Sequence, residues 1–235
     1  MKAVSFDVWS TLMSIDVFYR AVAEALAEAT GRDPGEVFNR VKRAYSAVKS
    51  ARRAGLVNES RVVQSSTEIF LEALGIASKY ELYWAVARAV NAVDARALPL
   101  DGAAEALQEL SSQGYALAVT SNVIFWPGYL TRVLLDKAGL GRFFRVQVYA
   151  DEVGTLKPSV KPFQEVLQAL GASPSEAVHV GDSPQEDLAG ALNAGMGAVL
   201  LDWGREKALL DARLRVAVVG SLGEVPSAVA ALLQA

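Results

Sequence analysis

Cysteine is absent from the 235 residues, and His179 is the only histidine. These two gaps exclude a disulfide framework, a zinc–thiolate site, a thiol nucleophile and a multi-histidine metal centre. A basic surplus is lacking too, with 23 lysines and arginines against 26 aspartates and glutamates, a net charge of −3. Nucleic-acid binding usually shows such a surplus, so no nucleic-acid partner is expected. No apolar run reaches membrane length: the one after Lys2 is broken at Asp7, too early for a signal peptide or a span. No membrane association is expected, and the cytoplasm is the expected location.

What is present suits a globular chain with a large core, 52% of residues being hydrophobic and 21% charged. The length is generous for one domain and short for two, as for a domain with an insertion. Val-rich apolar runs at 3–8, 115–120, 145–150, 177–181, 197–201 and 215–219 read as buried strands. Helical stretches at 101–112, 160–170, 184–194 and 222–234 alternate with the later runs. The alternation predicts an α/β fold, a parallel sheet with helices on both faces.

Residues 14–98 break that rhythm. Phe18, Val22 and Leu26 recur every four residues, Val37, Val41, Tyr45 and Val48 form a second stripe, and Leu82, Val86 and Val90 another, with a further segment after Asn58. Gly, Ser and Asn punctuate these stretches at 30–35, 54–60 and 74–79. The reading is a four-helix insertion. The expected division is an α/β core at 1–13 and 99–235 and a helical cap at 14–98, hinged near Met13–Asp16 and Leu98–Gly102.

In open α/β sheets ligands bind beyond the carboxyl ends of the strands. The residues at those ends are Asp7, Ser121-Asn122, Lys157 and Lys161 in "DEVGTLKPSVKPF", and Asp182, Ser183 and Asp187 in "GDSPQED". A carboxylate, a hydroxyl, an ammonium and an acidic pair thus reach one edge.

This set resembles the haloacid dehalogenase superfamily of hydrolases. "FDVWSTL", "LAVTSN", "LKPSVKPF" and "VGDSPQED" with "GALNAGM" match its four motifs in order, and the helical insertion sits where that family places a cap. The resemblance implies a Rossmann-like, doubly wound parallel sheet with an inserted α-helical (C1-type) cap. It makes Asp7 the nucleophile, Ser121 a donor to an anionic substrate oxygen, and Lys157 the cation beside them. Mg²⁺ would bind Asp7, Asp182 and the main-chain carbonyl of Trp9. Asp187 would orient a ligand water, Ser183 or Lys157, and Thr11 and Asn122 would contact the turn or the substrate. Ser183 doubles as a helix N-cap before Pro184. His179 reads as a core histidine and Lys161 as a solvated helix residue.

Phosphatases of this family carry a second aspartate two residues after the nucleophile, and here that position is Trp9, which cannot transfer a proton. The expected reaction is Mg²⁺-dependent hydrolysis of a small anionic phosphate ester or anhydride with a good leaving group. A metal-independent 2-haloacid dehalogenase is the alternative, since an aromatic residue occupies this position there. Retention of Asp182 argues for the metal, because a second carboxylate without a cation would raise the pKa of Asp7. A phosphonate-cleaving relative would need a cap lysine, and an impaired phospho-ligand binder is the non-enzymatic alternative. Residues 37–58 carry Arg40, Lys42, Arg43, Lys49, Arg52 and Arg53 and no acid. Lys42, Lys49 and Arg53 are expected to face solvent, with Arg40 and Arg43 placed to reach toward the core. A monomer and a homodimer both suit the aliphatic and aromatic content of the cap.

Overall fold

All four side chains of the first strand, β1 (Ala3–Phe6), are buried, as in the middle of a sheet covered on both faces. The structure is a computed structural model that describes residues 1–75 and 78–234. In it β1 lies between β2 (Ala116–Ser121) and β4 (Ala177–Gly181), parallel to both. The sheet continues through β3 (Phe144–Tyr149), β5 (Gly197–Leu201), β6 (Leu209–Asp211) and β7 (Val216–Val219) in the order β3-β2-β1-β4-β5-β7-β6. Only β6 runs antiparallel. The order reverses between β1 and β4, which makes the crevice above their carboxyl ends the natural ligand position.

Alternation along the strands separates two cores. Val4, Phe6, Leu117, Val119, Val178 and Val180 face one cluster, whereas Ala3, Ala116, Ala118, Ala177 and Ala198 face the other. The alanine face admits Phe163, Val166, Leu167 and Leu170 of helix α8 (Lys161–Leu170). The larger side chains of the first face pack with α5 (Ala103–Ser112), α10 (Val225–Gln234) and the insertion.

Four helices follow β1: α1 (Ile15–Thr30), α2 (Pro34–Arg53), α3 (Val62–Leu74) and α4 (Lys79–Ala92). Ser14, Asp33 and Ser78 cap α1, α2 and α4 through their side-chain oxygens. Gly75, with φ 72°, ends α3 in the left-handed conformation that glycine adopts without strain; Ile76 and Ala77 of the 74–79 punctuation lie outside the described residues. The segments entering and leaving the insertion pair with each other. Ser14 N–H donates to Leu98 at 2.8 Å and Leu100 N–H to Leu12 at 2.9 Å, around an antiparallel bridge between Met13 and Pro99.

Several elements differ from the sequence reading. Helix α5 starts two residues later than expected because Gly102 takes φ 81°. The stretch expected as one helix at 184–194 is a π-helical turn, Pro184–Leu188, followed by α9 (Ala189–Asn193). In that turn Leu188 N–H reaches back five residues to Ser183 at 3.1 Å. Helices α6 (Gly128–Lys137) and α7 (Ala150–Val153) and strand β6 were not anticipated. All three residues of β6 are exposed, so no buried face marks it.

Candidate active site

Asp7 leaves the end of β1 with its N–H donating to Val180 at 2.9 Å, which holds the backbone to the β4 side of the crevice. Its side chain turns to the β2 side. Ser121, the last residue of β2, donates its hydroxyl to Asp7 Oδ1 at 2.9 Å, and Lys157 Nζ donates to the same oxygen at 2.8 Å. Among the described residues nothing hydrogen-bonds Asp7 Oδ2. One carboxylate oxygen is fixed and the other is available.

Lys157 is buried, and its three ammonium protons have three acceptors: Asp7 Oδ1, the Thr120 carbonyl at 2.8 Å and Asp187 Oδ1 at 2.5 Å. Burial opposes its charge, but the Asp187 and Asp7 carboxylates outweigh burial and hold its pKa above the ordinary lysine range. Burial likewise works against a charged Asp187, yet Lys157 and His179 hold that carboxyl well below its usual range. His179, lowered by its own burial, is neutral at pH 7. Since Asp187 can only accept, His179 Nε2 donates to it at 3.1 Å, and Nδ1 therefore accepts from the Ser5 hydroxyl at 2.6 Å. The core histidine thus supports Asp187, as part of one buried chain from Ser5 to Asp7. Gly181 is required beside it, because a side chain there would collide with the Asp187 carboxylate.

Asp182 follows β4 and is half-buried. Its carboxylate and those of Asp7 and Asp187 have oxygens within 4.8 Å of one another. The second oxygen of Asp187 is already taken by Ser183 N–H at 2.9 Å. Asp7 shares Lys157 with Asp187, and Asp182 has no ion pair among the described residues. Burial first, and then neighbouring carboxylates, push Asp7 up to about 7 despite Lys157; burial and Asp187 push Asp182 up to about 6. Ser183 caps the π turn, accepting from Glu186 N–H at 3.1 Å. Asn122 spans the loops: its Oδ1 accepts from Lys157 N–H at 2.8 Å, and its Nδ2 donates to the Lys157 carbonyl at 3.2 Å and to Glu186 at 2.8 Å. Lys161 lies outside this group, donating to the Val153 carbonyl at 2.8 Å.

Two residues behave differently from the expectation of substrate contact. Trp9 borders the crevice, but its indole stacks on Phe18 at 5.6 Å, meets Trp126 edge-on at 5.5 Å, and points its N–H at the Thr131 hydroxyl at 3.4 Å. An aromatic cluster joining the insertion to the sheet claims the ring. Thr11 is fully buried; its N–H donates to the Val8 carbonyl at 3.4 Å within the turn, while its hydroxyl has no hydrogen-bond partner among the described residues.

A family model of the haloacid dehalogenase-like hydrolases matches residues 1–195. The chain belongs to that family. It is 29% identical over 208 residues to the glyceraldehyde 3-phosphate phosphatase of Methanothermobacter thermautotrophicus, covering 86% of each chain. It resembles the crystal structure of a HAD phosphatase from Thermococcus onnurineus, with a TM-score of 0.64 and 26% identity over 97% of both chains. Its fold is also that of the L-2-haloacid dehalogenase of Xanthobacter autotrophicus, with a TM-score of 0.70 and 20% identity over 98% of both chains.

In this haloacid dehalogenase-like hydrolase, helix α2 closes the crevice. Tyr45, Lys49 and Arg52 complete a cavity of about 40 Å³ over Asp7, Ser121 and Asp182. A far larger cavity, about 590 Å³, lies between α3, α4, α6 and the Phe125–Pro127 loop, but the titratable groups do not converge there. The basic helix is corrected on this point. Lys49, expected in solvent, lines the crevice, while Arg40 pairs with Glu36 at 2.8 Å and Arg43 is exposed. The signal for Arg52 was its spacing: it lies four residues beyond Val48, on the flank of the buried stripe. Glu186 also lines the crevice, a position that its place beside Asp187 in the chain does not disclose.

Proposed function

We propose that this chain is a Mg²⁺-dependent phosphohydrolase acting on a small phosphate ester or anhydride with a good leaving group. One observation carries the reading: Asp182 lies beside Asp7 and, among the described residues, has no cation within ion-pair distance. Lys157 is already shared between Asp7 and Asp187. An all-oxygen pair with surplus negative charge fits a hard divalent ion. Asp7, Asp182 and the Trp9 carbonyl would hold Mg²⁺, which supplies charge neutralisation at the phosphoryl oxygens when bound.

The side chains then have distinct tasks. Asp7 attacks phosphorus through its free oxygen; the bond from phosphorus to the leaving oxygen breaks, and that oxygen departs with the electron pair. Water next attacks the phosphoryl-aspartate, restoring the carboxylate and releasing phosphate. Lys157 holds the other Asp7 oxygen in place, and Ser121 turns its hydroxyl from Asp7 to a phosphoryl oxygen. Asp187 keeps Lys157 charged and His179 keeps Asp187 oriented. No residue two places after Asp7 can protonate the leaving group, which favours acyl or aryl phosphates over alkyl ones. The helical insertion acts as a cap that opens for substrate and closes to exclude water, and the setting is cytoplasmic.

The deciding experiment measures phosphate release from acetyl phosphate and p-nitrophenyl phosphate, and chloride release from 2-chloropropionate, each with Mg²⁺ and with EDTA. Mg²⁺-dependent phosphate release alone is expected. Chloride release indifferent to EDTA would replace this reading with the dehalogenase one, with Trp9 as its aromatic signature.

A further inference from the structure

Buried polar atoms in folded proteins almost always have partners, so those without one call for an explanation. On the sheet side of the crevice the partners are present, from Ser5 through His179, Asp187 and Lys157 to Asp7. On the α2 side they are missing. Arg52 is half-buried as a residue, but its Nε and Nη2 are shut off from solvent and hydrogen-bond to nothing among the described residues. Neither Arg52 nor Lys49 has a carboxylate within ion-pair distance among those residues, and both line the crevice. The Tyr19 hydroxyl, buried on the neighbouring helix, also lacks a partner.

The identity of the two free nitrogens is informative. Nε and Nη2 form one edge of the planar guanidinium, with two N–H bonds side by side, and that edge matches the two oxygens of a carboxylate. Such an edge, enclosed beside a phosphoryl site, is built for a second anion. Arg52 and Lys49 line the same small cavity as Asp7, Ser121 and Asp182, so an anion held by the guanidinium edge would belong to the same ligand as the phosphoryl group.

We propose that the Nε/Nη2 edge of Arg52, assisted by Lys49, binds a carboxylate of the substrate, so that the substrate class is small phosphorylated carboxylic acids. This deepens the phosphohydrolase reading and rests on it. Arg52 is a specificity residue: it holds the part of the substrate that leaves, while Asp7, Ser121 and Lys157 face the part that is transferred.

The test uses two non-hydrolysable ligands of similar size, phosphonoacetate and ethylphosphonate, the second with a methyl in place of the carboxylate. Binding of each to the full chain with Mg²⁺ is measured by calorimetry and as competitive inhibition of acetyl phosphate hydrolysis. Phosphonoacetate is expected to bind at least about 30-fold tighter, as a charge-assisted bidentate pair predicts. In Arg52→Gln the ratio should fall to within about 3-fold. Arg52→Lys, which keeps the charge and loses the fork, should give an intermediate ratio. Arg43→Gln removes the same charge from the exposed side of α2 and should leave the ratio at its parent value. Equal binding of the two ligands to the parent protein overturns the proposal. So does an Arg52→Gln variant that weakens both ligands equally, because Arg52 would then serve the phosphoryl group itself. Failure to hydrolyse acetyl phosphate with Mg²⁺ sinks the phosphohydrolase reading instead, and the calorimetric ratio still reports on Arg52.

Discussion

The two walls of the crevice differ in how their polar groups are satisfied. The sheet wall buries Lys157, Asp187, His179 and Ser5 in one hydrogen-bonded chain in which every ammonium proton of Lys157 is used. The α2 wall buries part of a guanidinium and leaves it without a partner among the described residues. A satisfied network is rigid and serves the same geometry in every turnover. An unsatisfied group costs stability until a ligand arrives, and thereby stores selectivity for that ligand. On the proposed reading, the constant chemistry belongs to the strand ends and the choice of substrate to the insertion.

Breaking the sheet wall should have the largest consequences. Asp7→Asn is expected to lower phosphate release by about 10⁴-fold or more, the scale on which loss of a nucleophile is felt, with the circular dichroism spectrum unchanged. Substantial residual turnover would remove Asp7 from the mechanism. Lys157→Met leaves Asp187 and Asp7 buried without their cation and should cost about 3–5 kcal/mol of stability, read from urea denaturation. A smaller loss, under about 1 kcal/mol, would mean that the buried chain is less tightly coupled than its distances indicate. With the wall intact but no proton donor after Asp7, acetyl phosphate should exceed ethyl phosphate in kcat/KM by about 10²–10⁴-fold beyond their uncatalysed difference.

The metal prediction compares two pH values. The pKa of Asp7 is raised from 3.8 to about 7 and that of Asp182 from 3.8 to about 6. Groups raised on folding bind protons more tightly in the folded state, so their contribution is full below their unfolded pKa and is lost as pH rises toward about 7. Without metal the Tm should therefore fall between pH 5 and pH 8. Mg²⁺ should raise the Tm more at pH 8 than at pH 5, and Asp182→Asn should abolish that difference. An Mg²⁺ effect independent of pH would place the ion elsewhere. The smallest effect belongs to the α2 wall: Arg52→Met should leave stability within about 1 kcal/mol of the parent or raise it, since it removes an unpaired buried cation. A loss comparable with that of Lys157→Met would erase the contrast between the walls.

Much of this was legible from the chain alone. Valine-rich runs set the strands, and the residues after them named Asp7, Ser121, Lys157 and Asp182, because a parallel sheet gathers its strand ends at one edge. Helical spacing likewise disclosed the insertion. The failures have physical causes. The position of Trp9 beside Asp7 suggests a substrate contact, but its ring follows the larger apolar contact with Phe18 and Trp126. Helical spacing places Lys49 in solvent because periodicity shows which face of a helix is apolar, not what the remaining faces look toward.

The sequence by itself determined the fold class, the family and the residues at the strand ends, since these depend on local pattern and order along the chain. The tertiary structure alone decided three things: that His179 supports Asp187, that Glu186 joins Asn122, and that Arg52, without a partner among the described residues, lines the same crevice as Asp7. Each is a meeting of side chains from different elements, or the absence of one among the described residues. Whether a buried charge has a partner depends on packing in three dimensions, which spacing along one helix does not encode.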